Sequence, residues 1–249
     1  MTALCLAAAQ TLSQPGDLPA NIERHCAFVR TAAAAGVELL LFPELSLSGY
    51  EPDRVAGCVV DPAGSPLAPL RALAQRHRMI LVLGAPLASA NDRPHIGAIV
   101  LFADGSHAVY HKRHLHSGEE RWASAGAADA ACFPLGTERF ALSICADSSH
   151  DQHATAAAAT GASLYLAGVL LSENAYPGDC AKLQQHAATH GYAVLMANHG
   201  GDSGGYVAAG RSALWDETGR RVGATPGRGE QLLVVRKAAG GWQTEVHGL

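Results

Sequence analysis

The strongest constraint on this chain is the length of its apolar runs. They are short, and they alternate with segments of helical periodicity. The longest, residues 38–42 and 79–83, have the length of a strand. Both fall far below the roughly 20 apolar residues of a membrane span. Residues 17–35 carry Ile22, Cys26, Val29 and Ala33 at helical spacing, with Gly36 placed to end the helix. Residues 37–42 follow as a buried strand. The alternation continues with a helix over 65–78, Ser65 capping it ahead of Pro66. It then gives strand 79–83, strand 140–144, helix 148–160, strand 162–166, helix 179–190 and strand 192–197. Residues 95–102 and 106–110 flank Asp104-Gly105, a hairpin signal. Residues 3–10 read as a first buried strand, and the C-terminal stretch holds short strands punctuated by Gly210, Gly219 and Gly223. Alternation of this kind predicts an α/β fold, and the hairpin and strand-rich end make the sheet mixed. Gly200 to Gly205 is too short for a linker and reads as a flexible loop over a site. With no longer linker and no repeat, residues 1–249 are expected to form a single domain.

Composition narrows the classes further. Hydrophobic residues make up 48% and charged residues 16%, so there is ample apolar surface to offset the entropy of ordering. Eighteen Lys+Arg against 22 Asp+Glu give a net charge of −4, without the basic surface of a nucleic-acid binder. The N-terminus lacks the basic region of a secretory signal. Cys5, Cys26, Cys58, Cys132, Cys145 and Cys180 are therefore expected as free thiols in a reducing compartment, the cytoplasm. No Cys-x-x-Cys pair offers a thiolate zinc site.

Three segments carry chemistry, each at the end of a predicted strand. In Leu39 to Tyr50, Glu44 follows Phe42-Pro43 and sits between apolar neighbours. Partial burial there raises a carboxyl pKa, which suits a general base. In the second segment Lys112 lies in Tyr110-His111-Lys112-Arg113-His114-Leu115, with Glu119, Glu120, Trp122 and Gly126 beyond it. In the third, Phe140 to His150, Cys145 stands where a strand gives way to a helix. Such a turn exposes a nucleophile, and a helix N-terminus lowers a thiol pKa.

In this order the segments resemble the nitrilase, or carbon–nitrogen hydrolase, superfamily. Its members place a Glu after a Phe-Pro-type strand end, a Lys in a Lys-x-His-Leu segment and a Cys in a strand–elbow turn. The resemblance spans nearly the whole chain. It takes in Ala8-Ala9-Gln10, Gly126, Gly161-Ala162, Ala197-Asn198, Gly210-Arg211-Ser212, Asp216 and Gly219. It implies a four-layer α-β-β-α sandwich with two mixed sheets, and a Glu44–Lys112–Cys145 triad acting on a carbon–nitrogen bond through a thioester. It also implies that Glu119 positions substrate, that no metal or organic cofactor is needed, and that the chain forms a homodimer or larger homo-oligomer.

The sequence departs from the pattern after the cysteine. Ala146 replaces an aromatic residue and is expected to open the space beside the nucleophile, and Asp147 is kept. The absence of Trp-Glu there favours an amide over a nitrile substrate, so a small linear amide is the expected partner. Tyr50, His150 and Tyr176 are further candidate pocket residues, while Asn198 is expected to satisfy loop backbone. Gln185-His186 and Ala188-Thr189 replace family residues on the helix over 179–190. Two other readings compete. The 13 histidines, among them His111, His114, His116, His150 and His153, allow a metallohydrolase. The altered residues after Cys145 allow a ligand-binding relative without turnover.

Overall fold

The computed structural model describes residues 4–127 and 131–249; Ala3, the expected start of the first strand, lies outside them. Strand β1 (Leu4–Gln10) leads into helix α1 (Leu18–Ala34), which Asp17 caps by accepting from the Ala20 N–H at 3.0 Å. Strand β2 (Leu39–Leu41), helix α2 (Ala68–His77) and strand β3 (Ile80–Leu87) follow. Strands β4 (His95–Leu101) and β5 (His107–His111) form the hairpin expected around Asp104-Gly105, with Gly105 at φ +90°. Next come β6 (Cys132–Leu135), β7 (Glu138–Ile144), α3 (Asp151–Ala159), β8 (Leu164–Val169), α4 (Tyr176–His190) and β9 (Ala193–Asn198). Strands β10 (Ala213–Trp215), β11 (Arg221–Ala224), β12 (Gln231–Ala238) and β13 (Gly241–Gly248) close the chain.

The strands make two mixed sheets, one in the order β13-β12-β1-β2-β3-β4-β5 and the other β11-β10-β9-β8-β7-β6. Side-chain alternation along each strand decides the layering. Leu6 and Ala8 of β1 and Leu39 and Leu41 of β2 pack against Leu164 and Leu166 of β8 and Phe140 and Leu142 of β7, between the sheets. Their sequence neighbours Cys5, Ala7, Ala9 and Leu40 point outward against Ile22, Cys26 and Val29 of α1 and Leu70 and Leu73 of α2. On the second sheet Tyr165, Ala167 and Val194 point outward against Ala157 of α3 and Leu183 and Ala187 of α4. The result is the four-layer α-β-β-α sandwich. No helix among the described residues is long and apolar enough to cross a membrane.

Several local expectations shift. Ser65 makes no capping bond: it opens a 3-10 turn, Ser65–Leu67, and α2 begins only at Ala68. The segment after Cys145 first forms a 3-10 turn, Cys145–Ser149, and only then α3. Helix α4 begins at Tyr176 because Pro177 fits a first helical turn, where its missing N–H costs nothing.

Strand direction places the site. Strands β1, β2 and β3 run parallel, and β4 and β5 alternate, so β5 ends on the same edge as β2. Strands β7, β8 and β9 are likewise parallel to one another. The loops that leave their C-terminal ends carry the chemistry-bearing residues, as is general for open α/β sheets. Leu166 is fully buried in the central strand of this parallel set. We expect Leu166→Ala to lower the unfolding free energy by about 2–5 kcal/mol in urea titrations, and Val109→Ala, on an exposed strand position, to change it by less than about 0.5 kcal/mol.

Candidate active site

Glu44 leaves β2 on a turn held between two glycines, one from each sheet. A Cβ on Gly84 of β3 would stand 2.0 Å from the Pro43 carbonyl oxygen and 2.5 Å from the Leu45 nitrogen. A Cβ on Gly168 of β8 would stand 2.8 Å from the Phe42 carbonyl oxygen. Only bare backbone lets the turn come this close to both sheets. The next residue, Leu45, sits at φ +50°, a left-handed conformation that costs a non-glycine residue energy. His199 secures the turn from β9: its Nε2–H donates to the Glu44 carbonyl at 2.7 Å, and burial drops its pKa to about 4, so the ring is neutral.

Lys112 leaves β5 and turns inward. Its Nζ donates to Glu44 Oε1 at 2.6 Å and to Glu119 Oε1 at 2.7 Å. All three side chains are withdrawn from water, at 0% exposure for Lys112 and Glu44 and 2% for Glu119. An ammonium has three N–H donors, so one is left over. Glu119, which opens a short 3-10 turn, is saturated: its Oε1 also accepts from the Tyr50 hydroxyl at 2.7 Å, and its Oε2 accepts from the His116 N–H at 2.7 Å. Glu44 is not. Its Oε2 is buried without a formed hydrogen bond among the described residues.

Burial pushes the Glu44 carboxyl up to about 7; the Lys112 charge opposes this, Glu119 adds to it, and the Cys145 thiol is near enough to help hold it down. Burial alone would disfavour the Lys112 ammonium, but the negative charge of Glu44, Cys145 and Glu119 outweighs it and raises the pKa above that of an ordinary lysine.

Cys145 follows β7 at φ +44°, so the chain reverses sharply at this residue. The expected helix N-terminus is replaced by the 3-10 turn, and the expected lowering of the thiol pKa is reversed. Burial and the Glu44 charge push it well above the ordinary thiol value, with Lys112 only partly compensating. The resting thiol keeps its proton. The Ala146 N–H, in the first turn, has no partner within the turn.

Asp147 locks this turn to the lysine segment, a connection that sequence reasoning missed. Its carboxylate accepts from the N–H groups of Ile144 at 3.1 Å, Arg113 at 3.0 Å and His114 at 2.9 Å, and from the Tyr110 hydroxyl at 2.7 Å. Because Tyr110 donates to Asp147, His153 Nε2–H must donate to Tyr110, at 2.8 Å. Burial drops the His153 pKa to about 4, so its Nδ1 accepts from Tyr165 at 2.9 Å. The hint in the sequence was Asp147 itself, kept from the family pattern two positions after the candidate nucleophile.

Glu44, Tyr50, Glu119, Cys145, Leu170 and Leu171 line a cavity of about 80 Å³. Of the other candidates, the Ala146 side chain is buried in the turn that follows Cys145. His150 is exposed and stacks on His114 with ring centroids 3.8 Å apart. Tyr176 packs inside α4 and donates to the Arg211 carbonyl at 2.7 Å, so it lies off the cavity. Asn198 satisfies loop backbone as expected, binding the N–H and C=O of Leu171 and the carbonyl of Gly210. The Gly200–Gly205 loop is tied down: Ser203 Oγ accepts from the Tyr50 N–H at 2.8 Å, and Gly204 N–H donates to Glu51 at 3.0 Å. Of the histidines of the metal reading, His111 stacks on His95, His114 on His150, and His153 belongs to the Tyr–His–Asp chain, while His116 lines the cavity; no metal-binding cluster occurs among the described residues.

A four-layer sandwich that gathers a buried Glu and Lys and a half-buried Cys at one edge defines a class of hydrolases acting on carbon–nitrogen bonds other than peptide bonds. The chain belongs to the carbon–nitrogen hydrolase family, whose profile matches residues 5–243. It is similar to the amidase from Nesterenkonia sp. AN1, of the nitrilase superfamily, solved as a cysteine-to-alanine variant. That structure shares 28% identity over 94% of this chain and 90% of the other, with a TM-score of 0.84. The same variant in complex with butyramide matches at 28% identity and TM-score 0.85, with the same coverage. A glutamate-to-glutamine variant, in which acrylamide has added to the active-site cysteine, matches at 28% identity over 93% of this chain and 92% of the other, with a TM-score of 0.84.

Asparagine at 147 has one acceptor oxygen to offer four donors. We expect Asp147→Asn to lower the unfolding free energy by about 1–3 kcal/mol per donor left unmet. Asp151→Asn, which removes an exposed ion pair with Lys182, should cost no more than about 1 kcal/mol. Equal losses in urea titrations would show that the Asp147 contacts do not hold the turn.

Proposed function

We propose that this chain, as one domain over residues 1–249, is a cysteine-dependent amidohydrolase that cleaves a small linear amide through a thioester. The observation that carries this reading is the single unpartnered oxygen of Glu44, in the same cavity as the Cys145 thiol, with Lys112 holding the other oxygen.

The sequence of steps follows from these contacts. Cys145 Sγ attacks the amide carbon while its proton passes to Glu44 Oε2, and the carbonyl electron pair moves onto oxygen. The oxyanion meets the third N–H of Lys112 and the Ala146 N–H, preorganised donors of the kind that supply a large share of catalysis. Collapse breaks the carbon–nitrogen bond, and Glu44 returns its proton to the departing ammonia. Glu44 then takes a proton from water, the hydroxide attacks the thioester, and the carbon–sulfur bond breaks with the thiol reprotonated. Amide and water thus give carboxylic acid and ammonia, with no metal or organic cofactor required. Glu119, with both oxygens engaged, positions Lys112 and through it the substrate. The cavity is far smaller than a drug-sized site of roughly 300–1,000 Å³, which supports a short acyl chain. The butyramide and acrylamide bound by the Nesterenkonia amidase are of that size. The free thiols support action in the cytoplasm, and the resemblance to the family supports a homo-oligomer. Nitrile hydrolysis or acyl transfer on the same triad is the second reading.

Cys145→Ala, Glu44→Gln and Lys112→Met should each abolish turnover of butyramide with the circular dichroism spectrum retained. Undiminished activity in any of them removes that residue from the triad. Glu44 must be ionised to accept the thiol proton, and its pKa is raised to about 7. The kcat/KM should therefore rise with pH through a midpoint near that value; a flat profile from about pH 5 to about pH 8 excludes Glu44 as the base.

A further inference from the structure

A third carboxylate reaches the cavity, and the mechanism does not use it. Asp179 lies in the first turn of α4 and lines the cavity together with His116, Ser172, Ala175 and Tyr206. It is half-buried, and no described residue hydrogen-bonds or ion-pairs with its carboxylate. The other two carboxylates of the cavity are already engaged: Glu44 holds Lys112, and Glu119 accepts three donors. Burial holds the Asp179 carboxyl above the usual range, with His116 alone working against it. Such a group gains when a cation arrives.

The rest of the lining agrees. It offers three carboxylates and one imidazole; Lys112, which lies behind them, is already held by Glu44 and Glu119, so a substrate carboxylate beside Asp179 meets like charge. Apolar surface from Leu170, Leu171, Ala175 and Tyr50 lines the same cavity and suits a methylene stem. Tyr206 packs edge-on against Tyr50 at 5.9 Å and adds an aromatic ring to the lining, the kind of surface an ammonium favours.

We propose that the preferred substrate is a primary amide bearing a terminal ammonium on a short aliphatic chain, with Asp179 as the residue that selects the ammonium. This rests on the amidohydrolase reading above. A first-turn aspartate also favours its helix through the dipole, but loss of that effect appears in stability and leaves the order of substrates unmoved.

The test compares kcat/KM for γ-aminobutyramide, for valeramide, in which a methyl replaces the ammonium, and for succinamate, which carries a carboxylate. We expect the ammonium amide to exceed valeramide about tenfold or more, and succinamate to be the poorest. Asp179→Asn should collapse the ammonium-to-methyl ratio toward unity, and Asp179→Lys should reverse it in favour of succinamate. Calorimetric binding of the same amides to Cys145→Ala protein separates this inference from the reading it rests on. Asp179-dependent preference for the ammonium amide, without turnover of any amide by the native enzyme, would keep the ammonium site and overturn the hydrolase. Turnover with a ratio indifferent to residue 179 would overturn the ammonium site and keep the hydrolase. Equal binding of all three amides, or of none, also overturns the ammonium site.

Discussion

A lysine ammonium with no access to water stands at the centre of this molecule, and much of the surrounding structure serves to make it tolerable. Removing an ion from water costs several kcal/mol even after the protein relaxes. Lys112 is compensated by two carboxylates at 2.6 and 2.7 Å, and Glu119 by two further donors. One positive charge between two negative ones leaves an excess of one, which Glu44 can shed by binding a proton. The Glu119 charge thus adds to burial, the main cause of the raised Glu44 pKa. In the proposed mechanism the thiol proton passes to Glu44, and that transfer leaves the net charge of the cluster unchanged.

Geometry then has to bring three distant segments to one point, and the fold does this with few devices. Parallel strands in each sheet deliver the loops to a common edge. Gly84 and Gly168 let the Glu44 turn approach both sheets at backbone distance. Asp147 ties the turn at the end of β7, in one sheet, to the segment after β5, in the other. Because its donors are mainly backbone N–H groups, this clamp fixes chain path rather than one side chain. The proposed nucleophile and the lysine are therefore held in mutual register by a residue that lines no part of the cavity.

What could be read in the sequence was whatever depends on periodicity or on residue type at a strand end. Helix α1 with its stop before Gly36, the Asp104-Gly105 hairpin, the strands around Glu44 and Cys145, and the family pattern itself were legible because local chemistry sets them. What could not be read depends on long-range packing. Strand β6 carries Pro134 and gives no clear alternating pattern; it exists because β7 offers it an edge. The direction of the Cys145 pKa shift depends on how far the sandwich buries the thiol, and a neighbouring turn does not decide it. His150 and Tyr176 were plausible cavity residues by proximity in sequence to Cys145 and to the β8 loop. However, His150 is drawn away by stacking on His114 and Tyr176 by the Arg211 carbonyl. Asp179 has a side chain no more distinctive than theirs, and only the position of α4 brings it to the cavity.

The open oxygen of Glu44 also bears on whether this site is a working one. An unsatisfied buried acceptor costs about 1–3 kcal/mol, and this fold is able to avoid that cost. It saturates Asp147 with four donors and Glu119 with three, a short distance along the chain from Lys112 and Cys145. Residues of the same chemical type therefore receive opposite treatment within one cluster. A scaffold that had kept the fold only to bind a ligand would gain stability by supplying Glu44 Oε2 with a donor, or by replacing the glutamate with an apolar residue. An acceptor without a donor, in the same cavity as the thiol, is what the proposed base requires. The division between a saturated and an unsaturated carboxylate is therefore better explained by turnover than by binding alone.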